Sequence, residues 1–297
     1  MPEGDWDALR AQDRDLGEIF GPGCLDAPHE SPFEFFSADV AIDGVVVKNV
    51  CVRKKGFIGS LDVDKPSLKI KFDEYVSGLE YAGLARMTLN NAKQDPSYVR
   101  QCLGYAMFAD AGVPAPRCNF ARVSVNGRDL GVYVHVESID KRFLRLHFDD
   151  ASGNVYEGAL SDFRPEWVRT FEKKTNEDDP DRSDLDAVVR VASAPDASLE
   201  SAIASAIDLD AFITFMATEA FVAHWDGYSG NTNNFYVYRD PKTARFHFIP
   251  WGLDGIFTVV PRREDLPLSV LSHGALARRV YLDATLRARY LARLVEL

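Results

Sequence analysis

The chain has 297 residues, of which 46% are hydrophobic and 27% charged, and its net charge is −11. That length suits one bilobal domain or two domains, each with a sizeable core. The acidic balance excludes a general nucleic-acid binder, which needs a basic surface against phosphates, and it is compatible with a basic protein substrate.

Residues 1–30 read as an N-terminal extension, a short polar helix and then a loop around Gly21-Pro22-Gly23. The start, Met1-Pro2-Glu3-Gly4-Asp5, lacks the basic and apolar regions of a signal peptide, and no apolar run approaches a membrane span. The expected location is therefore cytoplasmic or, if the chain is trimmed from a longer form, surface or secreted. Cys24, Cys51, Cys102 and Cys118 lie far apart with no CxxC pair. A zinc site and a disulfide framework are not expected, although one bridge has room to form.

Residues 31–137 read as a β-rich lobe. Asp43-Gly44 joins two β-rich runs as a hairpin turn, and Asn126-Gly127 opens the turn between strands at 119–125 and 131–136. Leu68, Ile70 and Phe72 alternate with Lys69 and Lys71, the pattern of a half-buried strand. A further strand is expected over 83–89. Between these strands, Asp95 as N-cap and Pro96 at the first position predict a helix that runs to Gly112.

Residues 138–297 read as a helical lobe. Short helices are predicted over 140–148 and 199–207, and a charged, exposed loop over 172–186 leads into another. Asp208-Leu209-Asp210 caps a long apolar helix over 211–223. It runs into the polar stretch Asp226-Gly227-Tyr228-Ser229-Gly230-Asn231-Thr232-Asn233-Asn234. A predicted hairpin (235–238 and 246–249) leaves this stretch, so its two ends, Asn234 and the residues leading to Asp254, are expected close together. Two carboxylates and a carboxamide at one loop end supply hard oxygen ligands of the kind Mg²⁺ takes beside nucleotide phosphates. Lys65, Lys69 and Lys71 are candidates to meet phosphates, and Gly56 and Gly59 to form a covering turn. Glu137 stands where the strand-rich lobe hands over to the helical one. His224 either orients the loop or is a polar helix end, and Trp225 and Trp251 read as packing.

These residues carry a resemblance. Lys55-Gly56 with Gly59-Ser60, Lys65-Pro66-Ser67 through Phe72, Leu89-Asn90-Asn91 followed by Asp95-Pro96-Ser97, Val125-Asn126-Gly127, Glu137, Asp226-Gly227, Asn234, and Ile249-Pro250-Trp251 with Asp254 stand in one collinear order. Together they resemble the CotH family of spore-coat-type atypical protein kinases. The resemblance implies an α+β, bilobal, protein-kinase-like fold with a β-rich N-lobe, a helical C-lobe and ATP between them. It implies transfer of phosphate to Ser or Thr of a protein, with ATP and Mg²⁺ (or Mn²⁺). Asp226 takes the place of the catalytic-loop acid and Asp254 that of the metal-binding acid. For the metal-binding Asn, Asn231 has the kinase spacing, five residues after Asp226, whereas Asn234 has the position next to the strand and is favoured. Lys65 and Lys69 both remain open for the phosphate lysine. The chain departs from the family pattern at Gly252, where an acid often stands two residues before the metal-binding Asp. It also has no Glu in the helix after Pro96. The rival readings are a kinase-fold transferase for a small molecule or a nucleotidyl group, and a non-catalytic surface or coat binding protein.

Overall fold

A computed structural model describes residues 1–259, 265 and 267–297. The fold is mixed α and β and forms two compact units. One comprises Met1–Leu16, Glu30–Cys102 and Arg117–Ser138; the other comprises Gly17–His29, Leu103–Pro116 and Ile139–Leu297. The chain thus changes unit at Ser138 and Ile139, and the segment Leu103–Pro116, which the sequence places in the strand-rich half, belongs to the second unit.

Helix α1 (Glu3–Ala11) opens the first unit; the expected loop after it contains a further short helix, α2 (Leu16–Phe20). Strands β1 (Phe36–Ile42), β2 (Val45–Lys55), β3 (Ser67–Lys71) and β4 (Arg86–Asn90) follow. Asp43 and Gly44 both have positive φ (50° and 83°), the backbone of a two-residue turn whose twist matches a hairpin. Strand β4 is shorter than predicted, because Tyr81 and Leu84 bond each other in a tight turn before it. Helix α3 (Arg100–Asp110) also starts later than the Pro96 signal suggests. Tyr98 is left-handed (φ 64°), and the buried Asp95 carboxylate accepts from the amides of Ser97 and Arg100 instead of from a first helical turn at 96. The helix ends at Gly112 (φ 87°), where Val113 N–H bonds Phe108 O at 2.9 Å.

Strands β5 (Cys118–Val125) and β6 (Arg128–Val136) complete the sheet, in the order β1-β2-β3-β4-β6-β5 with antiparallel neighbours throughout. Their turn, Asn126-Gly127, has φ of 51° and 81°. Val50, Val52, Leu68, Ile70, Met87 and Leu89 bury one sheet face against Trp6 and Leu9 of α1. Register places Arg53, Lys55, Lys69, Lys71 and Arg86 on the other face. Cys102 and Cys118 form a disulfide.

In the second unit, α4 (Lys141–His147) is capped by Asp140, whose side chain accepts from Arg142 and Phe143 N–H. Strands β7 (Val155–Gly158) and β8 (Glu172–Lys173) were not predicted. They are too short to show a period of two. The charged stretch over 172–186 is accordingly not an exposed loop throughout. Lys173 is buried, and its ammonium donates to the carbonyls of Asp179 (2.8 Å) and Asp181 (3.0 Å). Helices α5 (Ser183–Ala192), α6 (Leu199–Ala206) and α7 (Leu209–Phe221) follow, then the single turn α8 (Tyr228–Asn231). The predicted hairpin is β9 (Phe235–Arg239) with β10 (Phe246–Pro250), and the sheet order is β10-β9-β7-β8. Helices α9 (Ala275–Leu282) and α10 (Ala284–Glu296) close the described chain.

Helix α7 is apolar nearly all round and is buried. Asp208 caps it, accepting from Ala211 N–H at 3.1 Å. Its Phe212 meets Phe248 of β10 with ring centroids 4.6 Å apart, and Tyr228 of α8 meets Phe235 of β9 at 4.8 Å. This aromatic core seats α7, α8 and the hairpin on one another, which positions the polar loop between them. Among the described residues no helix is long and apolar enough to cross a membrane.

Candidate active site

The loop after α7 reverses within a few residues. Ala223 is left-handed (φ 56°), and His224 N–H returns to Glu219 O at 2.7 Å. Gly230 lies so close to the Trp225 carbonyl that any Cβ there would overlap it. These constraints aim Asp226 at three carboxamides. Asn231 Nδ2 donates to its Oδ1 at 2.7 Å, Asn234 Nδ2 to its Oδ2 at 2.8 Å, and Asn233 Nδ2 to both oxygens at 3.3 Å. Burial pushes the Asp226 carboxyl up from its ordinary value, and the three amide donors oppose that rise. A half-buried carboxylate, fixed in place and more basic than usual, is suited to accept a proton.

The hairpin then brings the second acid into the same neighbourhood. Phe235 pairs with Pro250, and Trp251 N–H bonds Asn234 O at 3.1 Å. Asn234 and Gly252 are both left-handed, with φ of 50° and 57°. A Cβ on Gly252 would overlap the Asn234 carboxamide, so the two residues lie back to back. Asp254 follows in the 3-10 turn Leu253–Gly255. Its charge acts on buried Tyr105, whose hydroxyl is pushed up first by burial and then by Asp254, against an opposing hydrogen bond with the Gly252 backbone. The donor chemistry fits a hard cation. With their amide nitrogens turned to Asp226, Asn231 and Asn234 each keep a carboxamide oxygen for other use, while Asn233 Oδ1 accepts from Leu160 N–H at 3.2 Å. Among the described residues no three His, Cys, Asp or Glu side chains cluster as a metal site. A cation here would need amide oxygens and phosphate oxygens besides a carboxylate, the mixed shell typical of Mg²⁺ with nucleotides.

The model of the CotH kinase protein family matches residues 52–297, a span that runs from β2 to the last residue and includes both acids and all three asparagines. The chain belongs to the CotH family. It is 27% identical over 204 residues to inner spore coat protein H of Bacillus subtilis, covering 65% of this chain and 55% of that protein. It is 26% identical over 200 residues to invasin CotH2 of Rhizopus delemar, covering 60% of this chain and 33% of that protein. This CotH-family chain therefore matches about half or less of the length of these curated relatives.

The candidates in the first unit of the CotH-family chain are more committed to structure than the sequence suggests. Lys65 Nζ donates to Val132 O at 2.7 Å and Tyr98 OH at 3.1 Å, and it stands over the rings of Tyr98 and Tyr133. Lys69 is one of the cations on the basic sheet face. Glu137 is buried, and its carboxylate accepts from the Arg117 backbone N–H and Nε, each at 3.0 Å, and from Arg117 Nη2. Gly56 has a φ of 134° that favours glycine, and the space a Cβ would fill at Gly59 is taken by the Gln94 side chain. The sequence reading omitted Asn233 as a site residue, although it touches both oxygens of Asp226. It also omitted Lys55, whose Nζ donates to Asn90 Oδ1 at 2.6 Å. Glu219 was missed too, because within an apolar helix pattern a lone Glu gives no signal of what its carboxylate meets. His224 is buried beside the loop, as the loop-orienting alternative requires.

Proposed function

We propose that this chain is an ATP- and Mg²⁺-dependent protein Ser/Thr kinase with a protein-kinase-like bilobal fold. The observation that carries the reading is the Asp226 carboxylate gripped by three carboxamides, one of which, Asn234, backs onto the turn that carries Asp254. In this reading Asp226 orients the substrate hydroxyl and takes its proton as the oxygen attacks. Asn231, Asn233 and Asn234 keep that carboxylate in place, so little reorganisation is left for the reacting state. Asp254 with the Asn234 oxygen holds the cation, Mn²⁺ serving in place of Mg²⁺; Asn231 is the alternative amide ligand. When bound, the cation neutralises the phosphate charge. Lys65 and Lys69 remain the two candidates for the phosphate lysine, and the Lys65 ammonium already donates to Val132 O and Tyr98 OH. A net charge of −11 supports a basic protein substrate. The relatives' names support a coat or surface setting, and the Cys102–Cys118 disulfide accords with an oxidising one.

Purified protein incubated with γ-labelled ATP, Mg²⁺ or Mn²⁺ and a panel of basic proteins tests the reading. Label is expected on Ser or Thr, and it is lost in both Asp226→Ala and Asp254→Ala. Label arriving only from α-labelled ATP would instead indicate nucleotidyl transfer. If neither label transfers and Mg-ATP produces no thermal shift, the chain is a binding protein.

A further inference from the structure

Glu219, on the last turns of α7, sits behind the Asp226 loop and is 1% exposed. Its two carboxylate oxygens accept the backbone N–H groups of Tyr228 (2.8 Å) and Ser229 (3.0 Å). Those are the first two residues of α8, so Glu219 fixes the start of the turn that ends at Asn231, the donor to Asp226 Oδ1. Gly227 lies against both Glu219 and His224, leaving no room for a Cβ.

Glu219, His224, Ser229, Met216 and Leu271 line a small cavity of about 10 Å³, the room one water needs. His224 and Ser229 are only 3% and 4% exposed. The Ser229 side chain lies against the Glu219 carboxylate, and the His224 ring lies against the backbone of Asn234 and Trp251.

We propose that Glu219, His224 and Ser229 form a buried polar clamp that positions the Asp226 loop. Glu219 and His224 are thus positioning residues. Neither is placed to touch a reacting atom; they act through α8 and Asn231. Their catalytic consequence rests on the phosphotransfer reading, whereas the clamp itself does not.

Glu219→Gln is the primary test. It keeps the side-chain volume but sets an amide NH₂ against one of the two backbone N–H groups. Hydrogen exchange at the Tyr228 and Ser229 amides should quicken about tenfold, the scale of one lost backbone hydrogen bond. Phosphotransfer kcat should fall by about tenfold or more while KM for ATP stays within about twofold, the split expected when ground-state binding is untouched. Unchanged exchange at both amides would overturn the clamp. Faster exchange with unchanged kcat would overturn the positioning role. If the wild-type chain transfers no phosphate, the kinase reading fails and exchange alone decides the clamp. Should Glu219→Gln not fold, His224→Gln, which leaves the two α8 bonds in place, is read on the same amides. It should loosen them by a smaller factor, and no change would count against the clamp.

Discussion

At the scale of single residues, Asp226 and Glu219 are both carboxylates held against burial, by different partners. Asp226 has carboxamides and Glu219 has backbone N–H groups. Burial raises the Asp226 carboxyl, so the fold disfavours its charge. In Asp226→Asn the relief of that penalty is offset by an amide NH₂ set against a carboxamide donor, so Tm should change little while transfer falls by about 10²–10⁴-fold, the contribution of a positioned base; calorimetry beside the labelled-ATP assay checks both, and a variant that keeps full activity would remove Asp226 from the chemistry. Burial also pushes Glu219 from its ordinary 4.5 up to about 7. A carboxyl raised in the fold binds more protons there than in the unfolded chain. Its contribution to stability is complete below about pH 4.5 and is lost as pH rises through about 7. Denaturant melts at about pH 5.5 and about pH 8 should thus show the stability gap between wild type and Glu219→Gln shrinking with pH, by at most about 1.4 kcal/mol per pH unit; a gap that widens contradicts the assignment. Asp226 was legible in the sequence because its asparagine partners stand within eight residues of it. Glu219 was not, because its partners are backbone N–H groups, which carry no sequence signature.

At the scale of elements, the turn after β10 explains an apparent defect. The family pattern often has an acid where this chain has Gly252, which reads as a weakened metal site. Here position 252 is left-handed and faces the Asn234 carboxamide, so a side chain there would displace the residue proposed to help hold the cation. Gly252→Ala should destabilise by about 1–2 kcal/mol from the backbone alone and should weaken Mg-ATP binding by moving Asn234. Denaturant unfolding and the Mg-ATP thermal shift read the two effects separately, and intact binding in a destabilised variant would detach Asn234 from the metal. The same contrast divides what could be read from sequence. The Asp43-Gly44 and Asn126-Gly127 hairpins were legible, since positive φ at adjacent positions selects a few residue types. The β9–β10 hairpin was legible from two apolar runs around Asp240-Pro241. Strands β7 and β8 were not, β7 being set by pairing with distant β9 and β8 by pairing with β7 rather than by a pattern of their own. At the start of α3, Asp95 is not the N-cap of a helix at Pro96: the left-handed Tyr98 delays the helix to Arg100, and the Asp95 carboxylate holds the turn before it.

At the scale of the whole molecule, the α+β class followed from the strand and helix patterns along the chain. What the sequence hid is an excursion. The chain leaves the first unit at Cys102, contributes Leu103–Pro116 to the second, and re-enters at Arg117. Cys102 and Cys118 bridge the points of exit and return, so the disulfide closes a loop with a sequence separation of 16. Closing a loop of that length restricts the unfolded chain and stabilises the fold by about 3 kcal/mol. Both cysteines belong to the first unit, Cys118 as the first residue of β5. Cys102→Ser with Cys118→Ser should accordingly quicken hydrogen exchange in β5 and β6 and lower the midpoint of their unfolding, while the amides around Asp226 in the second unit keep wild-type exchange. The wild-type chain in reductant should reproduce the double variant, because the restraint lies in the bond and not in the two side chains. Equal exchange in β5 and β6 with and without reductant would show that the bridge contributes nothing to the first unit, and would remove the support it lends to an oxidising setting.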